Sequence, residues 1–408
     1  MARPNVTLTV IDDSIVIPPA EGTSPTIGLM ISTTVGGATM AGGLGIFGTT
    51  AEKFLGYYRV DTPSDWVGRL NTFIGKEFNL GTASGLTFIA KYLKNNGATF
   101  WTDEWYAVNN YLQYGAPCYV GFTSSGNNAG YESLSVDVAF GASGGNNKLA
   151  TYLNTKVTKD APVIGIIGIS PSMISSINAT SITWAASGIT TGGIDAATRP
   201  FSMAVYGDKN QLNLSGDADT YIVSSMAADV AGCFARTDRD SFPWFSPAGT
   251  KRGQILNVVS LTKSLTDTEQ DGLYESDINP IVTFPGEGTV LFGDKTYLVD
   301  NASTLDAVNV SRLVIYLRKV LGELGRTILF DQNDSISRNR FLTTADAILR
   351  NVKSQRGVTD YKIICDESNN PPSVVQARTF VADILIKAIP SVNFIKITIT
   401  NKSLTATL

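Results

Sequence analysis

Two stretches decide the fold of this chain: ARTDRDSFPWFSPAGTKRGQIL at residues 235–256 and LTDTEQDGLYESDINPIVTFPGEGTVLFGDKTY at residues 265–297. Residues 265–271 predict the start of a helix. Asn279-Pro280 and Pro247-Ala248-Gly249 favour turns, because proline fixes φ and glycine reaches left-handed backbone conformations. This part of the chain is therefore expected to contain several short, ordered elements.

The sequence motifs in these stretches follow a fixed order. A helix of small residues ends in Ala-Arg-Thr-Asp-Arg at 235–239, and Trp244 and Ser-Pro-Ala-Gly at 246–249 follow it. After the helix start come Asp-Ile-Asn-Pro-Ile at 277–281 and a strand pattern, Gly-x-Gly-x-Val-x-x-Gly-x-Lys-Thr, at 286–296. This ordered set resembles the sheath protein of contractile tails, the outer cylinder of long-tailed contractile bacteriophages and related bacteriocins.

The resemblance continues toward the C-terminus. It covers a helix at 312–330 with an Arg-x-x-x-Tyr-Leu pattern, the segment Phe-Asp-Gln-Asn-Asp at 330–334, and tracts at 357–361 and 365–370. Residues 123–230 match only in pattern. In the sheath family the corresponding stretch faces outward and differs widely between members, so the resemblance implies a variable outer surface here.

The composition fits a folded protein with more than one core. A chain of 408 residues predicts two or three domains, and 43% hydrophobic residues suffice for a buried core. A net charge of −4 without a block of Lys or Arg argues against direct nucleic-acid binding. The N-terminus lacks a signal-peptide core, and the longest apolar run, 163–169, is too short to cross a membrane. We therefore expect a protein made in a cytoplasm, with no membrane insertion.

The chain contains no histidine, which removes most familiar catalytic and metal sites. Ser-His-Asp and Cys-His catalysis and histidine-containing zinc sites are excluded. The three cysteines, Cys118, Cys233 and Cys365, are far apart and are expected to be small buried side chains. We expect no catalytic residue, no metal and no cofactor, in a protein that is not an enzyme.

Two short patterns mimic enzyme motifs. Residues 141–145 (GASGG) match the GxSxG nucleophile elbow, but polar, glycine-rich flanks and the absence of histidine favour a surface loop. Residues 43–48 (GLGIFG) match the dinucleotide pattern GxGxxG; small residues rather than an apolar strand precede them, although a helix could follow. A nucleotide-dependent α/β enzyme is therefore the alternative function, and another structural phage protein, of the baseplate or capsid, is a third.

Hydrophobic patterning predicts an α/β plus α+β architecture. Near-continuous apolar runs at 161–169 and 201–206 are typical of strands buried on both faces. A helix of small residues is expected at 221–234 and an amphipathic helix at 309–330. Residues 374–389 fit either a helix or a strand.

The expected domain organisation has three parts. An extended N-terminal arm at 1–20 precedes a mixed α/β outer domain at 21–300, whose most variable part is about 123–230. A smaller α+β inner domain follows at 301–408, with a strand-forming C-terminal arm at about 390–400.

Both chain ends have the alternation of one-sided strands. Residues 5–17 alternate apolar and polar side chains with a polar break at 12–14, and residues 392–400 alternate as well. Such strands pair with each other inside one domain or, as the sheath resemblance implies, with neighbouring subunits by strand addition. The strand-forming side chains are Val6, Leu8, Val10, Ile15, Ile17, Phe394, Ile395, Ile397 and Ile399.

The sheath resemblance implies a structural subunit that polymerises as stacked six-fold rings around a tail tube and contracts to drive the tube through a bacterial envelope. The implied partners are copies of itself, the tail tube protein, and baseplate and tail terminator proteins, in a virion tail assembled in the host cytoplasm. Contacts with the tube should be polar, because the sheath must release the tube during contraction. The candidates are Arg312, Arg318, Lys319, Arg350 and Lys353. The sequence leaves open which helix faces the tube.

Overall fold

The computed structural model describes residues 10–11, 14–15, 28–31, 56–65, 99–122, 136–141, 147–184, 193–212, 221–298 and 304–393. The helices in these ranges are α1 (Thr99–Leu112), α2 (Asn147–Thr158), α3 (Ala227–Asp240), α4 (Asp267–Glu275), α5 (Val308–Ile328), α6 (Ser335–Ser354) and α7 (Pro372–Gln376). The strands are β1 (Val10–Ile11), β2 (Ser14–Ile15), β3 (Gly28–Ile31), β4 (Gly56–Val60), β5 (Cys118–Phe122), β6 (Val138–Gly141), β7 (Ile164–Ile169), β8 (Ile174–Asn178), β9 (Ser181–Trp184), β10 (Ser202–Tyr206), β11 (Asp208–Leu212), β12 (Tyr221–Ser225), β13 (Ser260–Leu261), β14 (Ile278–Phe284), β15 (Gly288–Leu291), β16 (Val358–Ile364) and β17 (Asp383–Ala388).

An eight-stranded mixed sheet forms the centre of the larger part, in the order β15-β14-β10-β7-β6-β3-β5-β4. Its inner strands run parallel, and β15 and β4 close the two edges in antiparallel pairings. Every residue of β7 and of β10 is buried, which explains their continuous apolar sequences. The predicted mixed α/β architecture and both predicted buried strands are confirmed.

Helices cover both faces of this sheet. Alternate residues of β6 separate the two layers: Phe140 packs with α1 and α3, whereas Ala139 packs with α2. Because α3 is rich in small residues, α1 approaches it closely, and a Cβ on Gly232 would lie 2.2 Å from the ring of Tyr114. The small residues of α3 therefore serve helix packing.

The second part consists of the helical hairpin α5–α6 packed against the two-stranded antiparallel sheet β16–β17. Leu313, Leu317 and Leu321 form the buried stripe of α5, and they meet Leu349 and Val352 of α6 in one core. The amphipathic helix predicted at 309–330 is confirmed. Residues 374–389, which fitted a helix or a strand, contain the end of α7 and the whole of β17.

The helix predicted at 221–234 is wrong over its first residues. Tyr221–Ser225 is β12, which pairs antiparallel with β11, and the helix begins only at Ala227. Exposure alternates along β12, with Tyr221 and Val223 exposed and Ser224 buried. This period of two belongs to a strand with one solvent-facing side, and the small-residue content that suggested a helix starts after it.

The turn predicted at Asn279-Pro280 is also wrong. Both residues lie inside β14, between β10 and β15. The Asn279 side chain donates to the carbonyl of Ala204 (2.9 Å) and accepts from the Lys295 amide (2.8 Å), so it links neighbouring segments rather than reversing the chain. At 247–249 the chain bends, and Gly249 has φ 85°. The hydrogen-bonded turn follows these residues, because the Gly249 carbonyl accepts from the Gly253 amide at 2.7 Å.

The GxSxG pattern lies in a different context from the one expected. Gly141 ends the buried strand β6, and α2 begins at Asn147. A buried strand before and a helix after are what a nucleophile elbow requires, so the flanks do not exclude an elbow. The absence of histidine from the chain does exclude the Ser-His-Asp arrangement. The GxGxxG pattern at 43–48 lies outside the described residues.

Candidate functional site

The motifs of residues 235–297 meet at one cleft of 680 Å³. Its walls come from Trp244, the turn at 246–249, α4 and the loop that follows β15. Residues 389–393, which lead toward the predicted C-terminal arm, complete it. We call this the junction cleft; its lining includes Trp244, Phe245, Lys251, Arg252, Asp271, Tyr274, Phe292, Asp294, Asn309, Arg356 and Val392.

Trp244 fastens the α/β part to the helical hairpin. Its indole is 5% exposed, stacks on Phe242 with ring centroids 5.0 Å apart, and meets the edge of Tyr316 on α5 at 5.2 Å. The indole N–H donates to the carbonyl of Gln355 at the end of α6 (3.0 Å). A buried tryptophan needs a partner for this donor, and here the partner lies in the other part of the molecule.

Two of the predicted tube-facing cations are interior contacts instead. Arg312 is 5% exposed; its guanidinium lies 2.5 Å from Asp238 on α3 and 4.8 Å from the ring centre of Phe234. Arg318 is also buried and pairs with Asp160, just after α2, at 2.9 Å. The expectation that both lie on an accessible face was wrong, because the α/β part covers that side of α5.

The other three predicted cations remain accessible. Lys319 pairs with Asp137 at 3.0 Å, and Lys353 pairs with Asp360 at 2.8 Å. Arg350 forms an i,i+4 pair with Asp346 on α6 and is 75% exposed. Their contact with a tail tube stays a prediction.

Three hydrogen bonds fasten residues 389–393 to both parts of the chain. Asn309 of α5 donates to the carbonyl of Ile389 at 2.9 Å, and the Ser391 hydroxyl donates to the buried carboxylate of Asp294. Asn393 donates to the hydroxyl of Tyr274 at 2.9 Å. Burial raises the pKa of Tyr274 to about 12, which keeps this hydroxyl protonated. These bonds fix residues 389–393 against both parts of the chain.

Sequence reasoning missed these anchors. The partners are separated by 80 residues for Asn309 and Ile389 and by 119 for Tyr274 and Asn393. The available signal was the pair of polar residues Ser391 and Asn393, which flank Val392 between two strand-like stretches. That signal predicts hydrogen bonding but not the partner.

Lys295 links two segments next to the junction cleft. Its ammonium group donates to the carbonyl of Tyr274 (2.9 Å), lies 4.4 Å from the ring centre of that tyrosine, and is 3.4 Å from Asp277. Burial raises the pKa of the Asp277 carboxyl, and the Lys295 charge opposes that rise. This cluster ties α4 to the segment that enters α5.

A second ion pair missed from the sequence lies deep in the α/β part. Lys209 on β11 is fully buried; its ammonium group is 2.9 Å from Asp229 on α3 and donates to the carbonyl of Leu256 at 2.8 Å. The hydroxyl of Tyr114 also donates to Asp229, at 3.3 Å. Each charge has a partner, as buried charges require, and the pair joins the small sheet β12-β11-β13 to α3.

The N-terminal segment does not form the single strand that the alternation predicted. Val10–Ile11 and Ser14–Ile15 pair antiparallel, with Val10 opposite Ile15, so the two strands run in opposite directions. Strand β2 lies beside β17 of the same chain. Of the arm residues predicted from sequence, these two are described, and the others lie outside the described residues: Val6, Leu8, Ile17, Phe394, Ile395, Ile397 and Ile399.

Within the described ranges, no group of three or more acidic or cysteine side chains could hold a metal ion. No helix described here combines the length and apolar character that a membrane crossing requires. The three cysteines are free and buried, as expected.

The fold is shared with solved contractile injection systems. The sheath complex of an extracellular contractile injection system, PVC, in its contracted state has a TM-score of 0.65 and 16% identity, covering 98% of this chain and 98% of that chain. A chain of the contracted baseplate of the anti-feeding prophage has a TM-score of 0.68 and 13% identity, covering 98% of this chain and 99% of that one. At these identities the likeness establishes the architecture.

Sequence comparison gives the family. The model of the phage tail sheath protein central domain matches residues 129–297, and that of the phage tail sheath C-terminal domain matches residues 300–402, together about two thirds of the chain. The chain belongs to the phage tail sheath protein family.

Two curated relatives are tail sheath proteins of bacteriophages. That of Vibrio phage KVP40 is 43% identical over 187 residues, and that of Enterobacteria phage T4 is 38% identical over 187 residues. Each alignment covers 46% of this chain, and it spans 27% of the KVP40 protein and 28% of the T4 protein. The relatives are thus much longer than the region they share with this chain.

Proposed function

We propose that this chain is the structural subunit of a contractile tail sheath in a virion tail, assembled in the host cytoplasm. The observation that carries the proposal is the match of two successive sheath domains to about two thirds of the chain. The subunit polymerises as stacked six-fold rings around a tail tube, and the sheath meets the baseplate and a terminator protein at its ends. Contraction drives the tube through a bacterial envelope.

We propose that the chain ends link neighbouring subunits. In the described residues the sheet β16–β17 has two strands, and β2 lies beside β17. Residues 389–393 are bound to Asn309, Asp294 and Tyr274. A two-stranded sheet gains stability when strands are added to its edges. The arm segments 1–20 and 390–400 supply those strands from neighbours.

Contraction in this proposal needs no nucleotide. Main-chain hydrogen bonds in a shared sheet hold subunits together while the rigid bodies rotate about their linkers. The energy comes from a metastable extended assembly that gains burial between subunits as it contracts. Contact with the tube comes from exposed cations, for which Lys319, Arg350 and Lys353 remain the candidates.

The test of this function is assembly of the purified full chain in the presence of tail tube protein, observed by negative-stain electron microscopy. Wild-type protein should form long hollow cylinders. A variant in which residues 1–17 are replaced by a Gly/Ser segment of equal length should stay folded by circular dichroism and form no cylinder. Full-length cylinders from that variant would exclude the arm linkage, and failure of the wild type to form cylinders would contradict the sheath function.

The enzyme alternative makes an opposite prediction. A nucleotide-dependent protein that uses the pattern at 43–48 should co-purify with a dinucleotide or bind one that is added. The ultraviolet absorbance of the nucleotide would reveal it in the purified protein. A sheath subunit should show neither. Equilibrium dialysis with NAD, FAD and ATP distinguishes the two.

A further inference from the structure

The small sheet β12-β11-β13 turns a polar face toward the helices beneath it. Lys209 and Gln211 lie two residues apart on β11, and Ser224 of β12 lies opposite Lys209. All three side chains are buried. Residues two apart on a strand share a face of the sheet, and so do residues that lie opposite each other on paired strands. These three polar side chains therefore lie together on the covered face.

Helices α3 and α1 add two more polar side chains to this layer. Asp229 of α3 forms the ion pair with Lys209, and the side-chain amide of Asn110 on α1 donates to the Gln211 side-chain carbonyl at 3.0 Å. Both added side chains are buried as well. We call these five residues the buried polar cluster: Asn110, Lys209, Gln211, Ser224 and Asp229.

Three atoms of the buried polar cluster have no hydrogen-bond partner in the described part of the chain. They are Oδ2 of Asp229, Nε2 of Gln211 and Oγ of Ser224, and each is shielded from bulk solvent. In folded proteins, buried polar atoms are almost always paired with a protein group or with an ordered water molecule. Three such atoms in one cluster therefore indicate a shared partner.

The neighbouring protein groups are already engaged. The other carboxylate oxygen of Asp229 accepts from the lysine ammonium group at 2.9 Å and from the Tyr114 hydroxyl at 3.3 Å. That hydroxyl accepts from the Leu256 amide at 3.0 Å. A flip of the Gln211 amide alone would set its NH2 group against the NH2 group of Asn110. A simple side-chain rotation therefore does not supply the missing partner.

The chemistry of the three atoms defines that partner. A carboxylate oxygen accepts, an amide NH2 group donates, and a serine hydroxyl does either, so the partner has to donate and accept at once. Lys209 would repel a cation and Asp229 would repel an anion. A water molecule is uncharged and provides two donors and two acceptors, which matches the site.

We propose that the buried polar cluster binds one ordered water molecule, which donates to Asp229 and Ser224 and accepts from Gln211. The water gives both carboxylate oxygens of Asp229 a hydrogen bond, as a buried charge requires. Because Asp229 lies in the first turn of α3, the water also ties β11 and β12 to that helix. The site lies inside one subunit and does not depend on assembly.

A density map of the full chain that resolves ordered water tests the site directly. A peak is expected at about 2.7–3.2 Å from Asp229 Oδ2, Ser224 Oγ and Gln211 Nε2. No peak at this position, in a map that shows water at other buried polar groups, overturns the inference. A peak with the coordination of an ion, or direct pairing of the three atoms with protein groups, overturns it as well.

The variant Ser224→Ala tests the site in solution through the sign of its effect. If water bridges this hydroxyl to Asp229, its removal takes away a hydrogen bond and should lower the folding equilibrium constant roughly fivefold. If the hydroxyl has no partner, its removal relieves an unpaired buried group, and the variant should be at least as stable as wild type. Urea denaturation followed by circular dichroism measures the constant.

Ser202→Ala is the matched control. Ser202 is also a buried serine in a strand of the α/β part, but its hydroxyl donates to the carbonyl of Thr198 at 3.0 Å. This variant should lose stability with or without the water, and it sets the scale for one buried serine hydrogen bond. Loss of stability in Ser224→Ala supports the water site, and stability at or above that of wild type overturns it. Either result leaves the proposed sheath function unchanged.

Discussion

The guanidinium of Arg312 lies 2.5 Å from the carboxylate of Asp238 and joins α5 to α3. Both side chains are nearly removed from solvent, and Phe234 covers the guanidinium on one side. The contact therefore bridges the core of the α/β part and the core of the helical hairpin. Rotation of one part against the other would have to break it.

Removal of one member of this pair should be costly. Arg312→Met keeps the length of the side chain but leaves Asp238 without its charged partner. Loss of one partner of a buried ion pair lowers the free energy of unfolding by about 3–5 kcal/mol. The matched control is Lys319→Met, whose partner Asp137 lies near the surface, with a cost below about 1 kcal/mol. Urea denaturation followed by circular dichroism measures both. Equal losses in the two variants would show that the burial of Arg312 does not matter.

The burial of Arg312 also shows where sequence reasoning reaches its limit. The apolar stripe of α5 follows from spacing within one helix, so the helix and its buried leucines could be predicted. The partners of Arg312 and Arg318 lie 74 and 158 residues away. Nothing local to α5 indicates that a second layer covers its charged side, and so both arginines were expected on an accessible surface.

The wrong prediction of a turn at Asn279-Pro280 has the same cause. Pro280 has the local chemistry of a turn, but its place between β10 and β15 is decided by pairing with Tyr206 and with residues beyond the next turn. The junction cleft could be predicted only in part. Its motif residues were recognised as a set, whereas their convergence with residues 389–393 depends on contacts across the two parts of the molecule.

Alanine substitution at two helical glycines should change the stability of the fold in opposite directions. A Cβ on Gly232 would lie 2.2 Å from the buried ring of Tyr114, and such overpacking costs about 1–3 kcal/mol. Gly322 in α5 has open space around the same position, so Gly322→Ala should stabilise the fold by about 0.5–1 kcal/mol through helix propensity. Thermal and urea unfolding of the two single variants check this. Destabilisation by Gly322→Ala would show that α5 tolerates no side chain there.

The stability of the fold should depend on pH through Asp208. Burial raises the pKa of this carboxyl from 3.8 to about 6, while the hydroxyl of Ser170 donates to it at 3.1 Å and partly opposes the rise. Because the pKa of this carboxyl is higher in the folded protein than in the unfolded chain, its protonation stabilises the fold. This contribution to the free energy of unfolding is complete below pH 3.8 and is lost as the pH rises through about 6.

The variant Asp208→Asn should remove this dependence. Its free energy of unfolding, relative to wild type, should rise between pH 4 and pH 7 by on the order of 2–3 kcal/mol, since a shift of one pKa unit corresponds to about 1.4 kcal/mol. Asp240→Asn is the control of opposite sign, because the hydrogen bond from Arg239 lowers the pKa of Asp240 at the surface. Urea denaturation at several pH values measures these free energies. Parallel plots of the free energy of unfolding against pH for wild type and Asp208→Asn would contradict the prediction.

The last prediction concerns the face of α6 that carries Arg350 and Lys353. Both side chains are exposed and their ion pairs with Asp346 and Asp360 lie at the surface, so the double variant Arg350→Glu/Lys353→Glu should melt close to wild type. If this face holds the tail tube by charge, the variant should form no cylinders around tubes, and assembly of the wild type should weaken with salt. Lys263→Glu, an exposed cation of the α/β part, is the matched control and should assemble normally. Tube-filled cylinders of normal length from the double variant would exclude the α6 face and leave Lys319 on α5 as the remaining accessible candidate, since Arg312 and Arg318 are buried against the α/β part.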